Sequence, residues 1–462
     1  MIEFLSTIQY FIGNALAWLS SILWGLPMII LLLGTHIILT IRTGFVQRKI
    51  GTAILLTFKR DKNSTGDISQ FGALMVALAA TIGTGNIIGV GIAIAAGGPG
   101  AVFWCWLTGV LGIATKYSES LLSVKYRIKT ESGKMLGGPM VVLDMVMHKH
   151  WLAVFFCIAT ALAAFGIGNM SQANSISTLM NDNFSVSPYI TGLVMAFLVG
   201  LVMIGGVKWI ASVCKVLVPF MALIYVVGCI LLLVYNIDYA WDAIKLIITS
   251  AFTPKSVAGG FAGGGIMLSM RYGFARGLFS NESGMGSAPI IASAAKTKNA
   301  VRQALISASG TFWDTVVICA LSGIVMVTSV LAYPDINFSN GAVLTSMAFG
   351  KLHVYGSGIL TIALLTFVFS TLLGWSYYAE RCLEYLWGSK IIKYYHVIWV
   401  VCVFIGAVAK LSLVWDFSDC ANALMAIPNL IAVISLSGIV ANETKKYLWQ
   451  NRLDEVDEEM VS

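Results

Sequence analysis

Apolar runs of about 20 residues, separated by short polar stretches, recur along the whole 462-residue chain. Eleven can be marked, near 16–41, 69–97, 101–124, 152–180, 189–207, 210–235, 258–292, 304–331, 355–380, 391–410 and 417–441. Each is long enough to cross a bilayer as a helix, so the pattern predicts an all-α integral membrane protein of eleven transmembrane helices. The first run has no basic residue ahead of it and no small-residue cleavage site behind it, and reads as a retained helix rather than a leader. The stretch GFVQRKIGTAILLTFKR (44–60) is too short and too basic to span, and reads as an amphipathic segment on the cytoplasmic surface.

Two runs carry polar interruptions where a continuous helix has no use for them. ATIGTGNIIG (Ala80–Gly89) lies inside the second run and RGLFSNESGMGS (Arg276–Ser287) inside the seventh. A lone glycine in a membrane helix is ordinarily a packing notch. Here Gly83, Gly85, Gly89 and Gly91 cluster with Thr84 and Asn86, which favours an unwound turn. Spans two to six and seven to eleven have similar lengths, and each group of five opens with the interrupted helix. Five is odd, so the second group has inverted topology. The chain then divides into an extra amino-terminal helix with its interfacial segment (1–66), a first repeat (67–235), a second repeat (236–441) and a charged tail (442–462). Interrupted segments at matching positions of inverted halves mark a transporter's binding site. An unwound turn frees backbone amides and carbonyls, and half-helix ends add partial charges of both signs, features suited to a zwitterion and a small cation.

Composition strengthens the membrane reading, with 58% hydrophobic and 11% charged residues and a mean hydropathy of +0.84. The formal charge of +7 does not indicate a nucleic-acid partner, because Lys and Arg fall in alternate short loops and in the tail. That alternation places the amino terminus outside and the carboxyl terminus in the cytoplasm of a multi-pass cell-membrane protein. The eight cysteines are scattered singly and read as small hydrophobes. Neither HExxH, GxSxG nor a Walker motif occurs, which argues against an enzyme or a primary pump. A channel would repeat a selectivity element or line its pore with carboxylates, and paired broken helices suit a transporter better.

GTGN (Gly83–Asn86), GGPGAVFWCWLTGVLG (Gly97–Gly112), FGIGNMSQANS (Phe165–Ser175) and RGLFSNESGMGSAPI (Arg276–Ile290) resemble the hallmark segments of the alanine or glycine:cation symporter family. That family belongs to the amino acid, polyamine and organocation superfamily. The resemblance implies a leucine-transporter-type 5+5 inverted repeat with one extra amino-terminal helix. It further implies symport of a small neutral amino acid, alanine or glycine, with sodium as the co-transported ion and no other cofactor; serine or glutamine are the alternative substrates. Two positions depart from the family pattern. Cys105 stands where methionine is expected, a packing matter, and Gly72 stands where many relatives carry glutamine, which bears on the substrate or the inner gate.

Residue by residue, the resemblance assigns the amides of Thr84 and Gly85 to the substrate carboxylate and the Thr81 carbonyl to its amine, and it sets Asn86 and Thr371 among the substrate-binding residues as well. It assigns the sodium ion to the carbonyls of Ala79 and Ile82 and the hydroxyls of Ser370 and Thr371; the alternative is that those hydroxyls bond carbonyls of their own helix. Asn169 either hydrogen-bonds the substrate or makes an interhelical contact. Trp375, one turn after Thr371 and on the same face, limits side-chain size or simply packs, and Phe279 gates the site or packs. Arg271, Arg276 and Glu282 are ionisable residues near the second break, and mutual pairing that stabilises the bent helix is their preferred reading.

Overall fold

The computed structural model describes residues 2–59, 64–253, 265–336, 341–409 and 412–457, and it is almost entirely helical. Helices α1 (Ile2–Leu23) and α2 (Leu26–Arg42) meet at a 42° bend. Pro27 lies in the first turn of α2, where its missing N–H loses no intrahelical bond and its ring stops α1 from running on. The basic amphipathic stretch folds as a 3-10 turn (Val46–Lys49) followed by α3 (Ile50–Thr57). After the short strand β1 (Ile68–Ser69) comes α4 (Gln70–Thr81), capped by Ser69, whose hydroxyl accepts the Gly72 N–H at 3.1 Å. The chain then unwinds at 82–83, passes through a π turn (Gly85–Gly89) and resumes as α5 (Val90–Gly97), with 51° between the two arms.

Helix α6 (Gly100–Lys125) leads into a small hairpin of β2 (Ile128–Lys129) and β3 (Met135–Leu136), and into the single turn α7 (Pro139–Val141). Helices α8 (His150–Phe165) and α9 (Ser171–Phe184) form one long span through a π turn at Gly166–Met170. Then follow α10 (Pro188–Ile204), α11 (Gly206–Tyr235) and α12 (Ile237–Phe252). Helix α13 (Ile266–Asn281) ends at the second break, with Glu282 in the left-handed region at φ 57°, and the chain resumes as α14 (Ala288–Ala292). Strand β4 (Ala295–Lys296) pairs in parallel with β1, joining the entry to α4 to the exit from α14. Helices α15 (Ala300–Thr311) and α16 (Ala320–Ala332) are continuous through a π segment at Phe312–Cys319. The last elements are α17 (Gly341–Gly350), α18 (His353–Trp387), α19 (Ile392–Val408), α20 (Ser412–Ser435) and α21 (Ser437–Glu443).

Among the described residues, six helices are long and apolar enough to cross a membrane, or eight if each of two bent pairs is one span. The runs that fall short of the sequence's eleven do so for visible reasons. Helix α10 has 17 residues; α6 carries Lys116 and Glu119, and α13 carries Arg271 and Arg276, inside their lengths. Two helices went unread in the sequence, α12 and α17, both between apolar runs. Part of the expected run at 258–292 lies outside the described residues, and helix there begins at Ile266. Small residues bring helices close: a Cβ on Gly277 of α13 would lie 2.2 Å from Thr108 Oγ1 of α6. Phe197, Leu223 and Val397 point outward, as a lipid-facing surface requires, while Trp375, Trp399 and Tyr117 fill the interior.

Candidate functional site

The end of α4 leaves its last carbonyls without helical partners, and α18 supplies hydroxyls to meet them. Thr371 Oγ1 donates to the Ala79 carbonyl at 3.1 Å and lies 3.4 Å from the Ile82 carbonyl. Ser370 Oγ lies 3.3 Å from the same Ala79 oxygen and donates to Phe367 O of its own helix at 2.9 Å. Ala79, Ile82, Ser370 and Thr371 are thus brought together, fully buried, as a set of oxygens only. Neutral carbonyl and hydroxyl oxygens are the donor set a hard cation takes.

Around the unwound turn itself, backbone amides are held by side chains. Asn86 Oδ1 accepts the Gly83 N–H at 2.9 Å, and Gln172 Oε1 accepts the Thr84 N–H at 3.4 Å. Gln172 is fixed in turn by donating to Ile167 O at 2.8 Å, in the π turn between α8 and α9. Asn86 Nδ2 donates to Asp314 Oδ1 at 2.7 Å and to Ser280 Oγ at 2.8 Å, and Asp314 Oδ2 accepts from Ser280 Oγ and Thr315 Oγ1, each at 2.7 Å. Both ends of the Asn86 amide are therefore engaged, and its side chain ties the first break to the end of α13 and to the π segment before α16. Asn86, expected among the substrate-binding residues, holds this bridging position in the structure.

Phe279 packs directly on Gly85, where a Cβ would lie 2.9 Å from Phe279 Cδ1. The Arg276 guanidinium stands 5.5 Å from the Phe279 ring centroid and pairs with Asp419 of α20 at 2.9 Å. Among the described residues no ion pair joins Arg271, Arg276 and Glu282, contrary to the mutual pairing expected: Arg271 lies over the Tyr272 ring, and Glu282 accepts the Ser287 hydroxyl at 2.5 Å. Glu282 lies in the left-handed region at φ 57°, and the Arg276 guanidinium is turned to Asp419 of α20.

Trp375 lies against Gly168, where a Cβ would come within 2.3 Å of Trp375 Cβ, and its ring meets Tyr378 edge-on at 5.5 Å. Asn169 donates to Trp399 O of α19 at 3.0 Å, the interhelical contact that was its alternative. The Thr81 hydroxyl stays with its own helix, 3.4 Å from Leu78 O. Gly72 sits in the first turn of α4 beside the Lys215 stem, away from the break, and Cys105 is buried in an apolar cluster. The sequence reading missed Gln172, Ser280 and Asp314. The signal for Asp314 was present, a carboxylate inside the apolar run 304–331, which in a membrane is functional by default.

A cavity of about 210 Å³ opens beside the α5 arm, lined by Ile87, Ile88, Asn174, Thr178, Asp182 and Thr345 among others. A cleft of about 530 Å³ opens at the start of α4, lined by Thr57, Lys59, Gln70, Phe71, Lys215 and Lys296 among others. The break lies between these two openings along α4 and α5.

The sodium:alanine symporter family model matches residues 9–461. The sodium/alanine symporter AgcS of Methanococcus maripaludis is 47% identical over 436 residues, 93% of this chain and 95% of that protein. The probable sodium/glutamine symporter GlnT of Bacillus subtilis is 34% identical over 451 residues, covering 96% and 92%. Among solved structures, MhsT in complex with L-phenylalanine aligns with a TM-score of 0.58 at 14% identity, over 85% of this chain and 96% of that one. The fold is accordingly of the leucine-transporter type. With a family match over nearly its whole length and relatives this similar, the chain belongs to the sodium:alanine symporter family, a family of sodium-coupled amino acid symporters and not of enzymes.

Proposed function

We propose that the protein carries small neutral amino acids, alanine and glycine, across the cell membrane together with sodium, by alternating access. The observation that carries this reading is the meeting of the Ala79 and Ile82 carbonyls with the Ser370 and Thr371 hydroxyls at the broken end of α4. Sodium held by those four oxygens fixes the backbone whose next amides, Thr84 and Gly85, receive the substrate carboxylate, and the Thr81 carbonyl receives its amine. Each ligand then favours the other's binding. The substrate carboxylate replaces Gln172 on the Thr84 N–H. Trp375 and Phe279, each packed on a glycine, narrow the site toward short side chains. The higher identity to AgcS than to GlnT favours alanine over glutamine.

The architecture of this reading is eleven spans, with α1 and α2 as the extra amino-terminal helix and the rest arranged as a 5+5 inverted repeat. The two breaks, each followed by a shorter helical arm, support it. The basic loops support an outside amino terminus and a cytoplasmic carboxyl terminus. Rocking of the helices that bear the breaks against the remainder opens the 210 Å³ and 530 Å³ cavities in turn. One sodium moving with a zwitterion transfers one charge, worth about 2.3 kcal/mol per 100 mV, or roughly fiftyfold accumulation before the sodium gradient adds its share.

The test is accumulation of labelled alanine in proteoliposomes under an inward sodium gradient, with unlabelled glycine, serine and glutamine as competitors. Sodium-dependent accumulation competed by glycine is expected. Competition by glutamine but not glycine would replace the substrate assignment, and equal uptake with potassium for sodium would remove sodium coupling.

A further inference from the structure

Four ionisable side chains that play no part in the reading above converge on the second break. Lys116 of α6 is 2% exposed, Glu119 on the same face 3%, Glu282 1% and Asp314 0%. The electrostatic neighbours of the Lys116 ammonium are Glu282, Glu119 and Asp314. Asp314 has its donors in Asn86, Ser280 and Thr315. Each glutamate has a side-chain donor on one oxygen, and the Gly284 backbone is a further hydrogen-bonding neighbour of Glu119. Glu282 takes the Ser287 hydroxyl on one oxygen, and Glu119 takes Asn429 Nδ2 at 2.7 Å on one oxygen, a nitrogen that also donates to Gly284 O at 2.8 Å. Lys116 Nζ and the second oxygens of Glu119 and Glu282 are all buried without a hydrogen-bond partner.

Several charged or titratable groups on helices packed against α6 have partners of their own, among them Lys245 with Asp242 on α12 and Arg271 over the Tyr272 ring on α13. His36 of α2 bonds Thr115 at 2.7 Å, Arg276 pairs with Asp419, Arg302 with Asp454, and Glu443 with Lys125.

Buried polar atoms without partners are rare, and three around one break form a donor and acceptor set open to a shared ligand. The charge count identifies that ligand. With all three carboxyls ionised, one ammonium faces three carboxylates, an excess of two negative charges in a buried site; one proton on the glutamates leaves a single excess charge, that of Asp314, which Asn86, Ser280 and Thr315 already bond. The space beside Glu119, lined by Leu122, Pro139 and Asn429 among others, is about 10 Å³, room for at most one water and not for a hydrated cation.

We infer that Lys116, Glu119 and Glu282 form a proton-binding site, in which the glutamates beside the Lys116 ammonium take up one proton that exchanges with water when the second break moves. Asn429 ties Glu119 to Gly284, and Ser287 ties Glu282 to the same loop, so movement of α14 against α6 changes the surroundings of both carboxyls together. The proton comes from bulk water, converts a carboxylate to a carboxylic acid, and returns to water. The site stands on its own geometry; its effect on uptake rests on the symport reading.

The test is infrared difference spectroscopy of the full-length protein in lipid bilayers, titrated in H2O and D2O. A carbonyl-stretch band of a protonated carboxyl that shifts in D2O is expected, with its amplitude reduced at least about twofold in Glu119→Gln, in Glu282→Gln or in both. No such band in the wild type, or an undiminished band in both variants, would overturn the inference. Where one variant does not fold, the band amplitude in the other decides. At saturating sodium, wild-type uptake is expected to change by up to about tenfold per pH unit on one limb, and by less than about twofold in Glu119→Gln. Identical profiles would overturn the coupling. A band without any alanine uptake would instead remove the symport reading and leave the site standing.

Discussion

Substituting Gly85 by alanine tests whether the first break works against the second. The new Cβ would lie 2.9 Å from Phe279 Cδ1 and 3.2 Å from Phe279 Cε1. Carbon atoms in contact rest about 3.5–4.0 Å apart, so the ring must yield by several tenths of an ångström. It has little freedom to do so, because Phe279 is 5% exposed and lies under an Arg276 guanidinium pinned to Asp419 at 2.9 Å. Overpacking of this kind costs about 1–3 kcal/mol. The strain falls on the turn whose amides are assigned to substrate, so alanine affinity in Gly85→Ala is expected to weaken by about 5- to 150-fold. The assay is the concentration dependence of initial uptake at saturating sodium, with thermal unfolding measured in parallel. Adding Phe279→Leu, which removes the opposing ring edge, is expected to restore at least half of the lost free energy. Wild-type affinity in Gly85→Ala, or no recovery in the double variant, would refute the reasoning.

Two further outcomes are expected. Asn86→Ala and Asp314→Asn, combined in a double-mutant cycle, should show a coupling of about 1.5–3 kcal/mol in sodium-dependent uptake, because the 2.7 Å bond between them is buried and charge-assisted; additive effects would show that the bridge carries nothing. Arg127 donates to Ser293 O, Ala295 O and Thr65 O at 2.7–2.9 Å and so clamps the β1–β4 pair, and Arg127→Gln should raise amide exchange at residues 65–69 and 293–297 while leaving α19 unchanged.

The breaks were legible because they are local: glycines, threonine and asparagine within an apolar run describe a helix that stops, and both stops lie where the sequence put them. The apposition of Ser370 and Thr371 with Ala79 and Ile82 came only from family resemblance, since nothing local links positions about 290 residues apart. Partner choice between helices was the illegible part. Arg276 pairs with Asp419, 143 residues away, rather than with Glu282 six positions on, because helix packing decides which side chains meet. Asn86 likewise finds Asp314, 228 residues away. Helix α12 was read as loop because Asp238, Asp242 and Lys245 break its apolar pattern, yet its buried Ala243, Ile247 and Ala251 give it a face to pack.

The most direct test of the cation site is the sodium dependence of initial alanine uptake in wild-type and Thr371→Ala proteoliposomes. Losing one of four oxygen ligands is expected to raise the half-saturating sodium concentration by at least about tenfold, equivalent to about 1.4 kcal/mol, while uptake recovers as sodium is raised. An unchanged sodium dependence in Thr371→Ala would place the coupling ion elsewhere.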